Sequence, residues 1–203
     1  MNEGWVEGET VSTGGPVGGP AAPGAVPPGA TVGGYVVEEL AGVGGMGVVY
    51  RASDPGLGRA VALKLIAPRF AEDPARRELF VRESLAAAGL EHPNVIPVYR
   101  AGEDGGRLFI AMRFVEGASL QELIRASGGL SAGRAARIVA RVGEALDAAH
   151  ARGLVHRDVK PANILVADPD GEEHVYLTDF GVSIHRTGSA GGGGGGWTGT
   201  RDY

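Results

Sequence analysis

The sequence predicts an α+β protein of two lobes, in which a strand-rich lobe with one helix precedes a helical lobe. Short runs of β-branched and aromatic residues fill the chain between Tyr35 and Val115, and helical patterns with capping residues follow. The length of 203 residues is enough for one sizeable core or two small lobes. Because 43% of the residues are hydrophobic and 21% are charged, a wholly disordered chain is excluded.

The composition also excludes several classes of protein. The chain has no cysteine, so disulfides, thiol catalysis and thiolate-bound metal are ruled out. With 24 acidic and 19 basic residues it lacks the basic surface that nucleic acids require. No apolar run is long enough to cross a bilayer, and no basic region precedes an apolar run at the N-terminus, so we expect no secretory signal. We therefore expect a cytoplasmic protein, although the intact protein could be anchored to a membrane beyond residue 203.

The first 34 residues predict a disordered Gly/Pro-rich tail. They contain many glycines and prolines, three acidic residues and no basic one. Such a composition buries too little apolar surface to offset the entropy lost on ordering. We expect the folded part to begin at Tyr35.

The strand-rich lobe is expected over residues 35–115. One helix is predicted over residues 74–90, where Asp73 can cap the first turn and Pro74 suits the first helical position. A Gly-Gly pair after Asp104 predicts a hairpin between the last two strands. The five predicted strands cover residues 35–40, 48–52, 60–66, 95–99 and 108–115.

The helical lobe is expected over residues 116–203. Ser119 and Glu122 form a capping box that opens a short helix, which should stop at Gly128. A longer helix is predicted over residues 131–151, with an apolar face that includes Ile138, Val142 and Leu146. Two small strands follow over residues 164–166 and 175–177.

A glycine-rich run joins the first two predicted strands and matches the pattern G-x-G-x-x-G-x-V. A dinucleotide-binding fingerprint would need a helix after the third glycine, and a Walker A loop would need Gly-Lys followed by Ser or Thr. Here a strand follows, so we interpret the run as a strand–turn–strand whose backbone N–H groups cover the phosphates of ATP. An ordinary hairpin turn is the alternative, and the glycines alone do not decide. The residues concerned are Ala41, Gly42, Val43, Gly44, Gly47 and Val49.

Lys64 is one of only two lysines in the chain and lies within an apolar predicted strand. An ammonium group in that setting needs a negative partner. The α- and β-phosphates of ATP, together with Glu83 on the following helix, would supply that charge. The alternative for Glu83 is a solvated helix residue, or a partner of a nearby arginine.

The most specific signal is the run from His156 to Asn163, followed by Asp179. Phosphoryl transfer needs an acceptor for the proton of the substrate hydroxyl, a cation near the γ-phosphate and oxygen ligands for magnesium. Asp158 can accept the proton and Lys160 can neutralise charge. Asn163 and Asp179 can hold Mg²⁺. The alternative is a surface loop that contains these residues by chance. A chance match to the whole run is far less probable than a chance match to a single motif.

These runs resemble the eukaryotic-like Ser/Thr protein kinases of bacteria. The resemblance extends from Tyr35 to Tyr203 and includes residues 44–47, 91–95, 112–117 and 199–200. It implies a two-lobed protein-kinase-like fold, with a five-stranded N-lobe over residues 35–115, a partial C-lobe over residues 116–203, and ATP in the cleft between them. The resemblance also implies protein substrates with Ser or Thr acceptors. Lys160 resembles the Ser/Thr type rather than the tyrosine type.

The resemblance assigns further roles around the adenine. It implies that Ala62 and Leu165 enclose the ring, that Met112 is the gatekeeper and that Val115 offers backbone hydrogen bonds at the hinge. Two departures from the family stand at this site. Ala41 replaces a larger aliphatic residue, which should loosen the roof over adenine, and Arg113 replaces the usual acid of the hinge.

The sequence ends at Tyr203, before the Ala-Pro-Glu motif and the large helices of a kinase C-lobe. We therefore expect an incomplete catalytic domain that by itself transfers phosphate poorly, with the apolar face of the long helix exposed. A non-catalytic nucleotide-binding or interaction module is the alternative function. A small-molecule phosphotransferase of the same fold is disfavoured by Lys160. Any activating phosphate is expected on Thr187, Ser189 or Thr198.

Overall fold

The computed structural model describes residues 24–167 and 173–180, and it forms two antiparallel sheets with helices beside them. The larger sheet has six strands in the order β1-β2-β3-β4-β6-β5. Its strands are β1 (Thr31–Val32), β2 (Tyr35–Gly44), β3 (Gly47–Asp54), β4 (Arg59–Ile66), β5 (Val98–Asp104) and β6 (Arg107–Arg113). The smaller sheet contains β7 (Gly117–Ser119), β8 (Ile164–Ala167) and β9 (His174–Leu177). The helices are α1 (Pro68–Ala71), α2 (Pro74–Ala88), α3 (Leu120–Ser127), α4 (Ala132–His150) and a short 3₁₀ turn at Pro161–Asn163.

The two faces of the larger sheet differ: one packs in an apolar cluster, and the other carries Lys64. Along β4, Val61, Leu63 and Leu65 are at most 2% exposed and pack in one apolar cluster with Phe109 of β6. Because side chains alternate along a strand, Lys64 lies on the opposite face. The position of Lys64 in the β4 sequence therefore sets the side of the sheet that it occupies.

Helix α2 packs on the same face of the sheet as Lys64. Its Phe80 is fully buried against Ile66, Leu108 and Ile110. The helix begins as predicted, because the Asp73 side chain accepts a hydrogen bond from the backbone N–H of Ala75 at 2.9 Å, with Pro74 in the first turn. This packing places α2 beside the strand that carries Lys64.

Residues 24–34 pack on the six-stranded sheet, so the disorder expected for the whole of residues 1–34 is wrong for this stretch. Strand β1 pairs with β2, and Val26 and Val32 are 8% and 3% exposed in the same cluster as Phe109. The backbone N–H of Val26 donates to the Tyr50 hydroxyl at 2.9 Å. The glycines and prolines of this stretch form the turns that allow a few valines to cover the edge of the sheet, which composition alone does not reveal. Residues 1–23 of the expected tail lie outside the described part.

The strand predicted over residues 95–99 is also corrected. Strand β5 begins at Val98, and the preceding residues bond to the smaller sheet instead. The Ile96 N–H donates to the Leu177 carbonyl at 3.0 Å, and the Leu177 N–H donates to the Asn94 carbonyl at 2.8 Å. Pro97 has no N–H to continue a ladder. This connection ties the two sheets together at the edge of the cleft.

Helix α4 packs its apolar face on the smaller sheet and on α3. Ile138 and Val142 are 1% and 7% exposed, and Leu146 packs partly buried against the same cluster. The expectation that this face is exposed is therefore wrong, because Ile164 and Leu177 of the smaller sheet cover it. The capping box predicted at Ser119 is present. Among the described residues, no helix is both long and apolar enough to cross a membrane.

Candidate active site

His156 anchors the loop that carries the predicted catalytic residues. It is 1% exposed, its Nε2–H donates to the Thr178 carbonyl at 2.8 Å, and its ring lies 4.7 Å from the ring of Phe180. The backbone N–H of Asp158 donates to His156 Nδ1 at 3.3 Å. Burial lowers the pKa of His156, although the Thr178 carbonyl and the nearby Asp179 and Asp158 oppose that shift. A neutral ring therefore joins the two loops of the site.

Asp158 is held by two side chains of its own loop. Lys160 Nζ lies 2.9 Å from Asp158 Oδ2. The Asn163 amide donates to the backbone carbonyl of Asp158 at 2.8 Å and to its Oδ2 at 3.1 Å. The 3₁₀ turn at Pro161–Asn163 brings Asn163 back toward Asp158. The proton acceptor, the cation and the amide predicted from the sequence thus form one cluster.

Asp179 lies on the segment that follows strand β9, next to Thr178. The Thr178 N–H donates to the Asn163 carbonyl at 2.9 Å, which joins the two loops directly. Asp179 has φ 65°, a left-handed backbone conformation that few non-glycine residues adopt. Such strain persists where surrounding contacts fix the backbone, and it is common at functional sites. The site residues of the two loops are therefore fixed next to each other.

Lys64 points into the cleft, as its place in β4 predicts. It is 5% exposed, and its Nζ lies 2.7 Å from Asp179 Oδ1. Across the strands, Lys64 pairs with Val49 of β3 and with Ile110 of β6. The buried ammonium thus has a carboxylate partner, but this partner is the predicted metal ligand.

Glu83 does not contact Lys64, so the pairing predicted from the sequence is wrong for this structure. Glu83 Oε1 instead accepts from Arg157 at 2.9 Å, and the Glu83 side chain is 13% exposed. Its second oxygen, Oε2, is buried and has no hydrogen-bond partner among the described residues. The physical reason is competition, because Lys64 and Arg157 each have a carboxylate within reach and Asp179 takes the lysine.

The glycine-rich run forms the turn of the β2–β3 hairpin. Strand β2 ends at Gly44 and strand β3 begins at Gly47, so the run is a strand–turn–strand and not a strand–turn–helix. A β-carbon on Gly47, whose φ is 149°, would collide with the Leu65 carbonyl. A register shift lies between Leu40 and Gly42, and the intervening Ala41 is exposed. The hairpin also carries Val43 and Val49.

Comparison with known families decides what this arrangement is. The family model described as the protein kinase domain matches residues 35–203 of the chain. The chain belongs to the protein kinase domain family. The resemblance inferred from the motifs and the two-lobed fold class are both confirmed.

Several bacterial kinases are similar to this kinase domain. Serine/threonine-protein kinase PknJ of Mycobacterium tuberculosis is 44% identical over 156 residues, which are 76% of this chain and 26% of that protein. PknE of the same organism is 43% identical over 159 residues, which are 78% of this chain and 28% of that protein. The chain thus spans about a quarter of the length of these relatives. The crystal structure of the Mycobacterium tuberculosis PknI kinase domain has a TM-score of 0.72 at 39% identity, covering 78% of this chain and 64% of that one.

The residues expected around adenine lie on three elements of the kinase domain. Ala62 of β4 pairs with Met112 of β6, and Met112 is 7% exposed. The Thr178 hydroxyl donates to the Met112 sulfur at 3.7 Å. Val115 lies in the link after β6, and Leu165 is half-buried on β8. Contacts of these four residues with adenine stay predictions.

The donors near Asp179 fit a magnesium ion. Asp179 offers a carboxylate and Asn163 an amide oxygen, which are the hard oxygen ligands that Mg²⁺ prefers. The Asn163 nitrogen already donates to Asp158, so its oxygen is the atom left for a metal. Among the described residues, no cluster of three His, Cys, Asp or Glu side chains forms a separate protein-only metal site. Two protein ligands with phosphate and water completing the shell are typical of magnesium with a nucleotide.

Besides the Lys64–Asp179 pair, two further contacts of the site are not indicated by the sequence. The pair between Arg157 and Glu83 joins elements far apart in the chain, and the sequence predicts Lys64 as the partner of Glu83 instead. Arg69 of α1 donates to the carbonyl of Gly45 at the tip of the glycine-rich loop, and no motif marks it. The hydroxyl residues Thr187, Ser189 and Thr198 lie outside the described residues.

Proposed function

We propose that this chain is the nucleotide-binding and catalytic part of a protein kinase that transfers the γ-phosphoryl group of ATP to Ser or Thr hydroxyls of proteins. The observation that supports this most is the cluster in which Asp158 is held by Lys160 at 2.9 Å and by Asn163 at 3.1 Å. The 44% identity to a protein named as a serine/threonine-protein kinase supports the same reaction. ATP as donor agrees with the cytoplasmic location predicted from the sequence.

The residues of the catalytic loop have separate roles in this proposal. The oxygen of the substrate hydroxyl bonds to the γ-phosphorus, the bond from that phosphorus to the β–γ bridging oxygen breaks, and ADP leaves. Asp158 accepts the hydroxyl proton, and its hydrogen bond from Asn163 keeps the carboxylate oriented. Lys160 places a positive charge where the transferred group carries negative charge. Magnesium, when bound by Asn163 and Asp179, would offset the charge on the phosphates.

The N-lobe supplies the nucleotide contacts in this proposal. Lys64 lies on the cleft side of β4, with Val49 beside it on β3. The Lys64 ammonium is neutralised by Asp179, whose Oδ1 lies 2.7 Å away. ATP phosphates and a metal on Asp179 would each compete for one half of that pair. We therefore propose that nucleotide binding replaces the Lys64–Asp179 contact with Lys64–phosphate and Asp179–metal contacts.

A transfer assay with a matched pair of variants tests the proposal. The chain is incubated with γ-labelled ATP, Mg²⁺ and a generic basic protein, and initial rates are compared with those of Asp158→Asn and Asp147→Asn. Asp147 is exposed on α4 and serves as the control for loss of one carboxylate. We expect Asp158→Asn to lower the transfer rate by about 10²–10⁴-fold and Asp147→Asn to leave it unchanged.

Calorimetric titration with Mg-ADP distinguishes the alternatives. Binding that is weakened by Lys64→Met, together with transfer that depends on Asp158, supports the kinase. Binding without any transfer would instead support the non-catalytic nucleotide-binding module. No binding by a folded chain, or transfer that is unaffected by Asp158→Asn, contradicts the proposed function.

A further inference from the structure

The tip of the glycine-rich loop is tied to the segment that follows β4. The turn between β2 and β3 consists of Gly45 and Met46. The carbonyl of Gly45 accepts a hydrogen bond from the Arg69 guanidinium, and the carbonyl of Met46 accepts one from the Ala67 N–H at 2.9 Å. Both carbonyls of the turn are thus engaged by donors outside the loop.

Beyond the backbone pairing of β2 with β3, little else holds this part of the loop. A β-carbon on Gly42 or Gly45 would meet no described atom within 4 Å, so neither residue is fixed by close packing. Gly47, by contrast, lies directly against the Leu65 carbonyl. The backbone pairs end at Gly44 and Gly47, so Gly45 and Met46 lie outside the ladder. The backbone entropy of this turn is high unless something else restrains it.

Arg69 is itself well supported. It lies in α1, where Pro68 occupies the first turn. The neighbouring Phe70 packs against the apolar cluster that contains Phe80, and the Arg69 guanidinium carbon lies 4.8 Å from the centre of the Phe70 ring. A cation over an aromatic face is attracted to it, so the ring helps to orient the guanidinium.

We propose that Arg69 is a positioning residue that holds the tip of the glycine-rich loop in place for the phosphates of the nucleotide. The inference rests on the proposed function, because it needs a nucleotide beneath the loop. Carbonyl oxygens repel phosphate oxygens, and the charge of Arg69 offsets that repulsion at Gly45. By restraining a glycine-rich turn before the nucleotide arrives, Arg69 also lowers the entropy that is lost on binding.

The test compares Arg69→Gln with Arg137→Gln, an exposed arginine of α4 that matches the change in charge. Dissociation constants for Mg-ATP, Mg-ADP and adenosine are measured by calorimetry on the 203-residue chain. We expect Arg69→Gln to raise the dissociation constants of Mg-ATP and Mg-ADP roughly three- to tenfold, which is the effect of losing one exposed charged hydrogen bond. The dissociation constant of adenosine should not change in Arg69→Gln. Arg137→Gln should leave all three dissociation constants unchanged.

A second measurement separates positioning from direct contact with phosphate. Backbone ¹⁵N order parameters of residues 44–47 are determined without ligand. We expect them to fall in Arg69→Gln and to stay the same in Arg137→Gln, since a tether restrains the loop before any nucleotide binds. Unchanged order parameters with weaker nucleotide binding would mean a direct phosphate contact and overturn the positioning role.

The remaining outcomes are also decisive. An equal loss of adenosine and ATP affinity, or an equal effect of Arg137→Gln, would overturn the inference. Unchanged nucleotide binding by Arg69→Gln would overturn it while leaving the proposed function intact. If the original chain binds neither Mg-ATP nor Mg-ADP, the proposed function and this inference fail together.

Discussion

The lower and upper halves of the site are assembled in different ways. In the lower half, Asp158, Lys160 and Asn163 belong to one short loop and contact each other as the sequence predicts. In the upper half, Lys64 and Glu83 come from a strand and a helix, and each is paired across the lobes with a residue that the sequence did not indicate. Local spacing fixes the first group, whereas the second depends on how distant elements pack.

The largest effect should come from residues 24–34, which cover the face of the larger sheet opposite Lys64. Gly33 has φ 61°, and a β-carbon there would collide with the ring of the fully buried Phe109. Gly34 has φ 90°, but a β-carbon on Gly34 would meet no described atom within 4 Å. We expect Gly33→Ala to lower the free energy of unfolding by about 3 kcal/mol, from overpacking and backbone strain together. Gly34→Ala should lower it by about 1 kcal/mol, from strain alone.

Urea unfolding of the two variants measures this difference. A larger loss for Gly33→Ala means that residues 24–34 are an integral part of the upper lobe. Equal losses of unfolding free energy would show that residues 24–34 do not pack on the sheet in solution. That result would agree with the disordered tail predicted from the sequence.

The next effect concerns the anchor of the lower half. Burial lowers the pKa of His156 in the folded protein, so below its ordinary value near 6.5 the unfolded chain binds more protons than the folded one. Stability should therefore fall as the pH drops from about 6.5 toward the lowered pKa, and it should be insensitive to this group at higher pH. Protonation would also place a hydrogen on Nδ1, which accepts from the Asp158 N–H.

Unfolding free energies between pH 8 and pH 5 test this expectation. The fall should be smaller in His156→Gln, which cannot titrate, and unchanged in the control His150→Gln, an exposed residue at the end of α4. A fall of the same size in His156→Gln would show that other groups cause it.

The smallest effect should come from the pair that joins the halves. Arg157 is 40% exposed at its side chain and Glu83 is 13% exposed, so solvent screens their attraction. A double-mutant cycle with Glu83→Gln and Arg157→Gln should give a coupling of about 0.5–1 kcal/mol in the free energy of unfolding. The same cycle with Glu78→Gln, an exposed residue of α2, should give none. A coupling near zero for Glu83 would mean that the pair is not maintained in solution.

Particular residues show how far the sequence reaches. The side of the sheet that Lys64 occupies follows from alternation along β4, and the cluster around Asp158 follows from contacts within eight consecutive residues. The cap at Asp73 and the capping box at Ser119 are equally local. In each case the partner lies within a few residues, so the covalent chain itself sets the distance.

The sequence by itself determined the family and the composition of the catalytic loop. Only the tertiary structure decided that Glu83 pairs with Arg157, that Lys64 pairs with Asp179, and that residues 24–34 cover the sheet. The physical reason is that charged side chains have several possible partners at similar cost, and a turn-rich stretch has several possible docking places. The choice among them depends on distances between elements far apart in the chain, which packing of α2 and of the two sheets sets.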